Sequence, residues 1–185
     1  MLNNKINILA ETLANNGIKY VFGIPGSGAS INLINELEHH GVTFIKVSHE
    51  ACGPIMAGAV FKCTGNLSAS LSIKGPGLLN SIPGIGFNFM ENTPALSISE
   101  EYSEDAPNTK MHKRLNHIQL LSEITKEIYT LDTFLKDPKA ALENTKGNLA
   151  GPIHIDLREG DRQRDLISKT SGKSLKYINM NELSS

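Results

Sequence analysis

Three short stretches of this 185-residue sequence carry groups that could do chemistry: Val47-Ser48-His49-Glu50-Ala51, Pro25-Gly26-Ser27-Gly28 and Lys74-Gly75-Pro76-Gly77. Glu50 is a carboxylate at the hinge between an apolar β-run and a small-residue run, a place for a proton or hydrogen-bond acceptor. A plainer role also fits it, because an acidic side chain in a first helical turn offsets the helix dipole by about 0.3 to 1 kcal/mol. The two Gly-rich stretches sit where strand passes to helix, and such turns can hold an anion on backbone amides. Neither has the Gly-Lys-Ser/Thr ending of a P-loop or the full dinucleotide pattern, and each is also readable as a tight turn. Lys74 is either a solvated rim lysine or a compact cation for an anionic substrate group. His117, with His112, falls in or near a polar loop, where it either faces solvent or moves a proton.

The elements that would position these groups alternate strand and helix. Ile6, Leu9, Ala10 and Leu13 recur at helical spacing, and Asn15-Asn16-Gly17 stops that helix. Strands are expected at Lys19–Ile24, Val42–Val47, Leu67–Ile73, Pro94–Ser99, Glu127–Leu131 and Ile153–Leu157. Helices are expected at Ala29–His39, Ala51–Thr64, Leu78 to about Met90 and Ile118–Glu123, with a further one opening at Asp137-Pro138 and fading at Gly147. Glu100 to Arg114 reads as a long polar loop, a kind that is often functional. This order predicts an α/β fold, doubly wound, with a mostly parallel six-stranded sheet and helices on both faces. Open sheets of that kind bind ligands outside the carboxyl ends of their strands, where Glu50 and both Gly-rich turns would meet.

Composition bounds the rest. A net charge of −1 gives no basic excess for nucleic acid, and no apolar run approaches a membrane span. The polar start, Met1 to Lys5, leads into an amphipathic stretch and not into a signal-peptide core, so the cytoplasm is the expected location. Cys52 and Cys63 share one helix about three turns apart at 3.6 residues per turn, too far to bridge, and are expected to be buried thiols without metal-ligand spacing. No metal ligands are assigned. Residues 1–158 form the expected domain, and 159–185 a polar tail or linker.

Four matches, in order, make the chain resemble the pyrimidine-binding domain of thiamine diphosphate dependent enzymes. This group contains acetolactate synthase, benzoylformate decarboxylase and pyruvate decarboxylase. The matches are Val21-Phe22-Gly23-Ile24-Pro25-Gly26, His49-Glu50, Gly75-Pro76-Gly77 with Asn80, and Gly151-Pro152-Ile153-His154-Ile155-Asp156. The resemblance implies that Glu50 bonds the N1′ nitrogen of the cofactor's aminopyrimidine and favours the imino form, which takes the thiazolium C2 proton. It also implies cofactor contacts for Pro25, Gly26, Gly75 and Asn80, and a substrate-side place for Ser27. The loop leading to His117 resembles that of pyruvate decarboxylase, where a His pair reaches the substrate, but Asn116 stands in place of the first His. Asn80 has a plainer role as well, steadying the helix that follows.

Departures from the family are informative. Lys74 replaces a small polar residue, Glu100-Glu101 replaces Gly-Gln, and Ala59-Val60-Phe61 replaces Gly-Tyr-Ala. The family's Gly-Asp-Gly with a downstream Asn, which holds Mg²⁺ and diphosphate, is missing, since Gly160-Asp161 is followed by Arg162. The expected function is therefore the pyrimidine-binding subunit of a two-chain 2-oxo acid decarboxylase, as in sulfopyruvate decarboxylase. Thiamine diphosphate would be shared with a separate diphosphate-binding subunit that holds Mg²⁺, and the substrate would be a small anionic 2-oxo acid. An acetolactate-synthase-like carboligase component and a noncatalytic scaffold are the alternatives. The small residues Ala51, Gly53, Ala57, Gly58 and Ala59 prompt a further expectation, self-association through their helix.

Overall fold

The computed structural model of the protein describes residues 2–26, 28–102, 112–147 and 149–158. Its elements run α1 (Leu2–Asn15), β1 (Tyr20–Gly23), α2 (Ala29–His39), β2 (Thr43–Lys46), α3 (Cys52–Thr64), β3 (Ala69–Ser72) and α4 (Pro76–Met90). They continue with β4 (Ala95–Glu100), α5 (His117–Leu121), β5 (Ile128–Thr130), α6 (Leu131–Lys136), α7 (Pro138–Glu143) and β6 (Pro152–Leu157). The six strands form one sheet in the order β2-β1-β3-β4-β6-β5, and every pairing is parallel. The doubly wound α/β fold expected from the sequence is the fold observed.

Differences are local. Helix α6 takes in Leu131, expected to end the fifth strand, and residues 132–136, to which the sequence assigned no element. It forms because Thr130 caps it reciprocally with Thr133, while the Asp137 side chain accepts from the Ala140 N–H and starts α7 separately. Glu50 lies in a turn just before α3, with Gly53 N–H donating to Glu50 O at 3.1 Å, so it precedes the helix and is not within its first turn. Cys52 and Cys63 are exposed, contrary to expectation. The buried stripe of α3 is Gly53, Pro54, Ala57 and Gly58, which turns both thiols outward.

The two faces of the sheet differ in chemistry. On one, Leu71, Leu96, Ile98, Ile153, Ile155 and Leu157 join the Ile6, Leu9 and Leu13 stripe of α1 and residues of α2 and α6 in the main apolar core. Strand alternation sends Ser70, Ser72, Ser97, Ser99, His154 and Asp156 to the other face. There they stand in register as Ser70, Ser97 and His154 in one row and Ser72, Ser99 and Asp156 in the next. All six are buried.

Helices α3 and α4 cover part of this polar face by packing closely on each other. A Cβ at Gly58 would lie 2.1 Å from Asn88 Oδ1, and the Asn88 amide donates to Pro54 O at 2.7 Å. Of the small residues on which self-association through this helix was expected, Gly53, Ala57 and Gly58 are buried inside the domain, Ala51 is half-buried and Ala59 is exposed. No helix among the described residues is long and apolar enough to cross a membrane.

Candidate active site

Because all strands are parallel, the segments after β2, β1, β3, β4 and β6 leave the sheet at one edge in that spatial order. The chain winds outward in both directions from β1, to β2 on one side and β3 on the other, which makes a switch-point crevice at this edge. Pro25-Gly26 leaves β1 here and Lys74-Gly75 leaves β3. A Cβ at Gly26 would fall 1.9 Å from Ile73 Cγ2, so the two turns touch. Gly75 caps α4 with φ of 69°, and a Cβ there would lie 2.6 Å from Lys113 Cβ. The segment returning toward α5 therefore lies directly on the third-strand turn.

Glu50 is half-buried at this edge, and the Asn80 side-chain amide donates to its Oε2 at 3.1 Å. Asn80 lies in the second turn of α4, one turn beyond Gly75-Pro76-Gly77, so that turn positions the group that orients the carboxylate. Glu50 Oε1 has no partner among the described residues and remains able to accept. An acceptor held on one side and open on the other fits a ring nitrogen that must carry a proton, the requirement of an aminopyrimidine. Ser27 and the tail 159–185 lie outside the described residues.

Lys74 departs most from expectation. Its ammonium sits 2.6 Å from Glu100 Oε2 and 5.0 Å from the centre of the Tyr102 ring. Glu100 is buried, and its Oε1 accepts from the Ser30 N–H in the first turn of α2 at 2.8 Å. The two unusual residues at the ends of β3 and β4 are partners of each other. Beside them the Arg158 Nε and Glu101 Oε2 are 2.9 Å apart, so Glu101 too has a cation.

His117 is not on the loop surface. It is the first residue of α5, 1% exposed, and its Nδ1 donates to Asp156 Oδ1 at 2.5 Å. Burial alone would raise the Asp156 pKa, but hydrogen bonds from His117 and His154, and the charge on those rings, hold it well below the usual carboxylate range. The His154 Nε2 is 3.1 Å from the same Oδ1, and its Nδ1 is 3.0 Å from Ser97 Oγ. Ser99 Oγ is 3.1 Å from His154 Nε2. The donor atoms of His117, His154 and Asp156 all lie within 4.8 Å, and hydrogen bonding among them and the serines accounts for their placement. His154 and Asp156 were legible only as part of a motif. The alternation of Ser-x-Ser on β4 with His-x-Asp on β6 was the signal that they share a face.

Residues 4–120, more than half of the chain, match the family described as thiamine pyrophosphate enzyme, N-terminal TPP binding domain. The chain belongs to the thiamine pyrophosphate enzymes through this pyrimidine-binding domain. Among curated relatives, it is 28% identical over 168 residues to the acetolactate synthase large subunit of Buchnera aphidicola subsp. Schizaphis graminum, covering 89% of this chain and 28% of that protein. It is 25% identical over 154 residues to the acetolactate synthase isozyme 3 large subunit of Escherichia coli, covering 81% of this chain and 27% of that protein. The catabolic acetolactate synthase of Raoultella terrigena is 27% identical over 134 residues, 72% of this chain and 23% of that protein. The chain thus spans about a quarter of the length of these relatives.

Proposed function

We propose that the chain supplies the pyrimidine half of a thiamine diphosphate site in an enzyme of the acetolactate synthase type, acting on a small 2-oxo acid. The observation that carries this reading is the Glu50 carboxylate, oriented by Asn80 at the switch-point edge with one oxygen open. When bound, the cofactor supplies a thiazolium that takes up the electrons of the bond to the departing carboxylate. Glu50 accepts the hydrogen bond of the pyrimidine ring nitrogen and so sets where that ring's protons lie. Asn80 fixes the carboxylate, the Pro25-Gly26 and Gly75 turns shape the crevice, and the half-burial of Glu50 limits competition from water.

The names of the relatives favour carboligation over simple release of an aldehyde, the outcome in the sulfopyruvate-type reading. In both readings the diphosphate and Mg²⁺ are held from outside these 185 residues, by a partner chain or domain carrying Gly-Asp-Gly and a downstream Asn. The test combines the chain with that diphosphate-binding component. Glu50→Gln is expected to keep the fold and the assembly while slowing C2 proton exchange of bound cofactor by at least a hundredfold, as for loss of a positioned acid–base group. An unchanged exchange rate overturns the proposal. Product analysis from pyruvate then separates a two-molecule carboligation product from acetaldehyde.

A further inference from the structure

We infer that Glu100 is a specificity-determining residue. By holding the Lys74 ammonium, it reserves the ends of β3 and β4 for a 2-oxo acid without a second anionic group. This rests on the proposed function for the substrate class, but its physical basis is independent of it.

Lys74 alone would be a natural receptor for a sulfonate, phosphonate or second carboxylate at the strand-end edge. The structure gives it an internal anion instead, 2.6 Å away, with the lysine side chain 24% exposed and the glutamate side chain 3% exposed. Both Glu100 oxygens are engaged, one by Lys74 and the other by the Ser30 N–H. A substrate anion that recruited Lys74 would strip a buried carboxylate of its cation and leave it only a backbone donor. Breaking a buried pair from one side is far costlier than exchanging exposed partners. A neutral substituent leaves the pair intact. The pair also ties three strand-end segments together: the start of α2 through Ser30, the turn after β3 through Lys74, and the end of β4. The Tyr102 ring lies against the ammonium.

The test reads the Lys74 side chain directly, by NMR of the amine resonance assigned through Lys74→Met, with inorganic sulfate as the probe for an anionic tail. In the unaltered chain sulfate is expected to leave this resonance unmoved. In Glu100→Gln, which keeps shape but loses charge, sulfate is expected to shift it saturably. Lys74→Met and Glu100→Gln are each expected to lower the urea midpoint, and the double variant to recover part of the loss. Should Glu100→Gln unfold, Glu100→Asp, one methylene shorter, serves in the same titration, with a weaker gain. A sulfate response in the unaltered chain, or none in either Glu100 variant, overturns the inference, as does additivity of the two stability losses. None of these measurements needs cofactor or turnover, so their failure is separate from failure of the proposed function. In the assembled enzyme, Glu100→Gln is expected to raise the kcat/KM ratio of a doubly anionic 2-oxo acid over pyruvate at least tenfold.

Discussion

The Asn80 amide reaches across from α4 to donate to Glu50 Oε2 at 3.1 Å, joining two motifs thirty residues apart in the chain. Hydrogen bonds to a charged group contribute roughly 1.5 to 3 kcal/mol, and this one lies near the surface, where the lower end applies. Asn80→Ala is accordingly expected to slow C2 proton exchange about tenfold, since about 1.4 kcal/mol corresponds to a factor of ten. The fold should be unaffected, as read by urea unfolding. A loss equal to that of Glu50→Gln would mean Asn80 does more than orient the carboxylate.

Asp156 links stability to acid. Its carboxyl has a folded-state pKa below the unfolded value, so its contribution is fully present above the unfolded pKa of about 3.9 and is lost as pH falls from there toward the folded value. Unfolding free energy measured from pH 7 downward is expected to fall chiefly below about pH 4. Asp156→Asn is expected to cost about 1.5 to 3 kcal/mol at pH 7, because it removes the carboxylate that two buried histidine rings bond, and to flatten that acid dependence. An unchanged acid limb in the variant would assign the dependence to other carboxylates.

Gly75 and Gly28 offer a controlled comparison, since both have positive φ, 69° and 74°. Among the described residues a Cβ at Gly28 meets nothing within 4 Å, whereas one at Gly75 would lie 2.6 Å from Lys113 Cβ and 2.8 Å from Lys113 O. Gly28→Ala is expected to cost only the backbone strain of its positive-φ conformation, about 1 to 3 kcal/mol. Gly75→Ala should cost measurably more in urea unfolding, because the backbone near Lys113 must move. Equal losses would show that the overlying segment yields freely.

Gly58→Leu separates packing within the domain from assembly. With Asn88 Oδ1 only 2.1 Å from where a Cβ would stand, the larger side chain must force α3 and α4 apart and break the bond from Asn88 to Pro54. Overpacking of this kind costs about 1 to 3 kcal/mol or more. The variant is expected to lose stability in proportion and to show it at any protein concentration. A loss that vanished on raising concentration would instead point to an interface.

The amino-acid sequence by itself determined the succession of strands and helices, the place of Glu50 at a strand end, and the two Gly-rich turns beside it. These are local properties. The period of Ile6, Leu9, Ala10 and Leu13 sets a helix face, and Gly75-Pro76 sets a turn, whatever lies across the fold. The small residues of α3 were visible too, but not which surface they meet, since close packing inside a domain and between chains asks for the same side chains. Tertiary structure alone decided that Lys74 faces Glu100, that His117 is buried on Asp156, and that the β3, β4 and β6 residues are hydrocarbon on one sheet face and polar on the other. Each of these pairings depends on which strand lies beside which, in what register. In a parallel sheet that order is set by helix crossovers and their packing, so β4 and β6 become neighbours although α5, β5, α6 and α7 separate them in sequence. Alternation along a strand can say that Ser99 and Ser97 point the same way, but only the register brings His154 and Asp156 beside them.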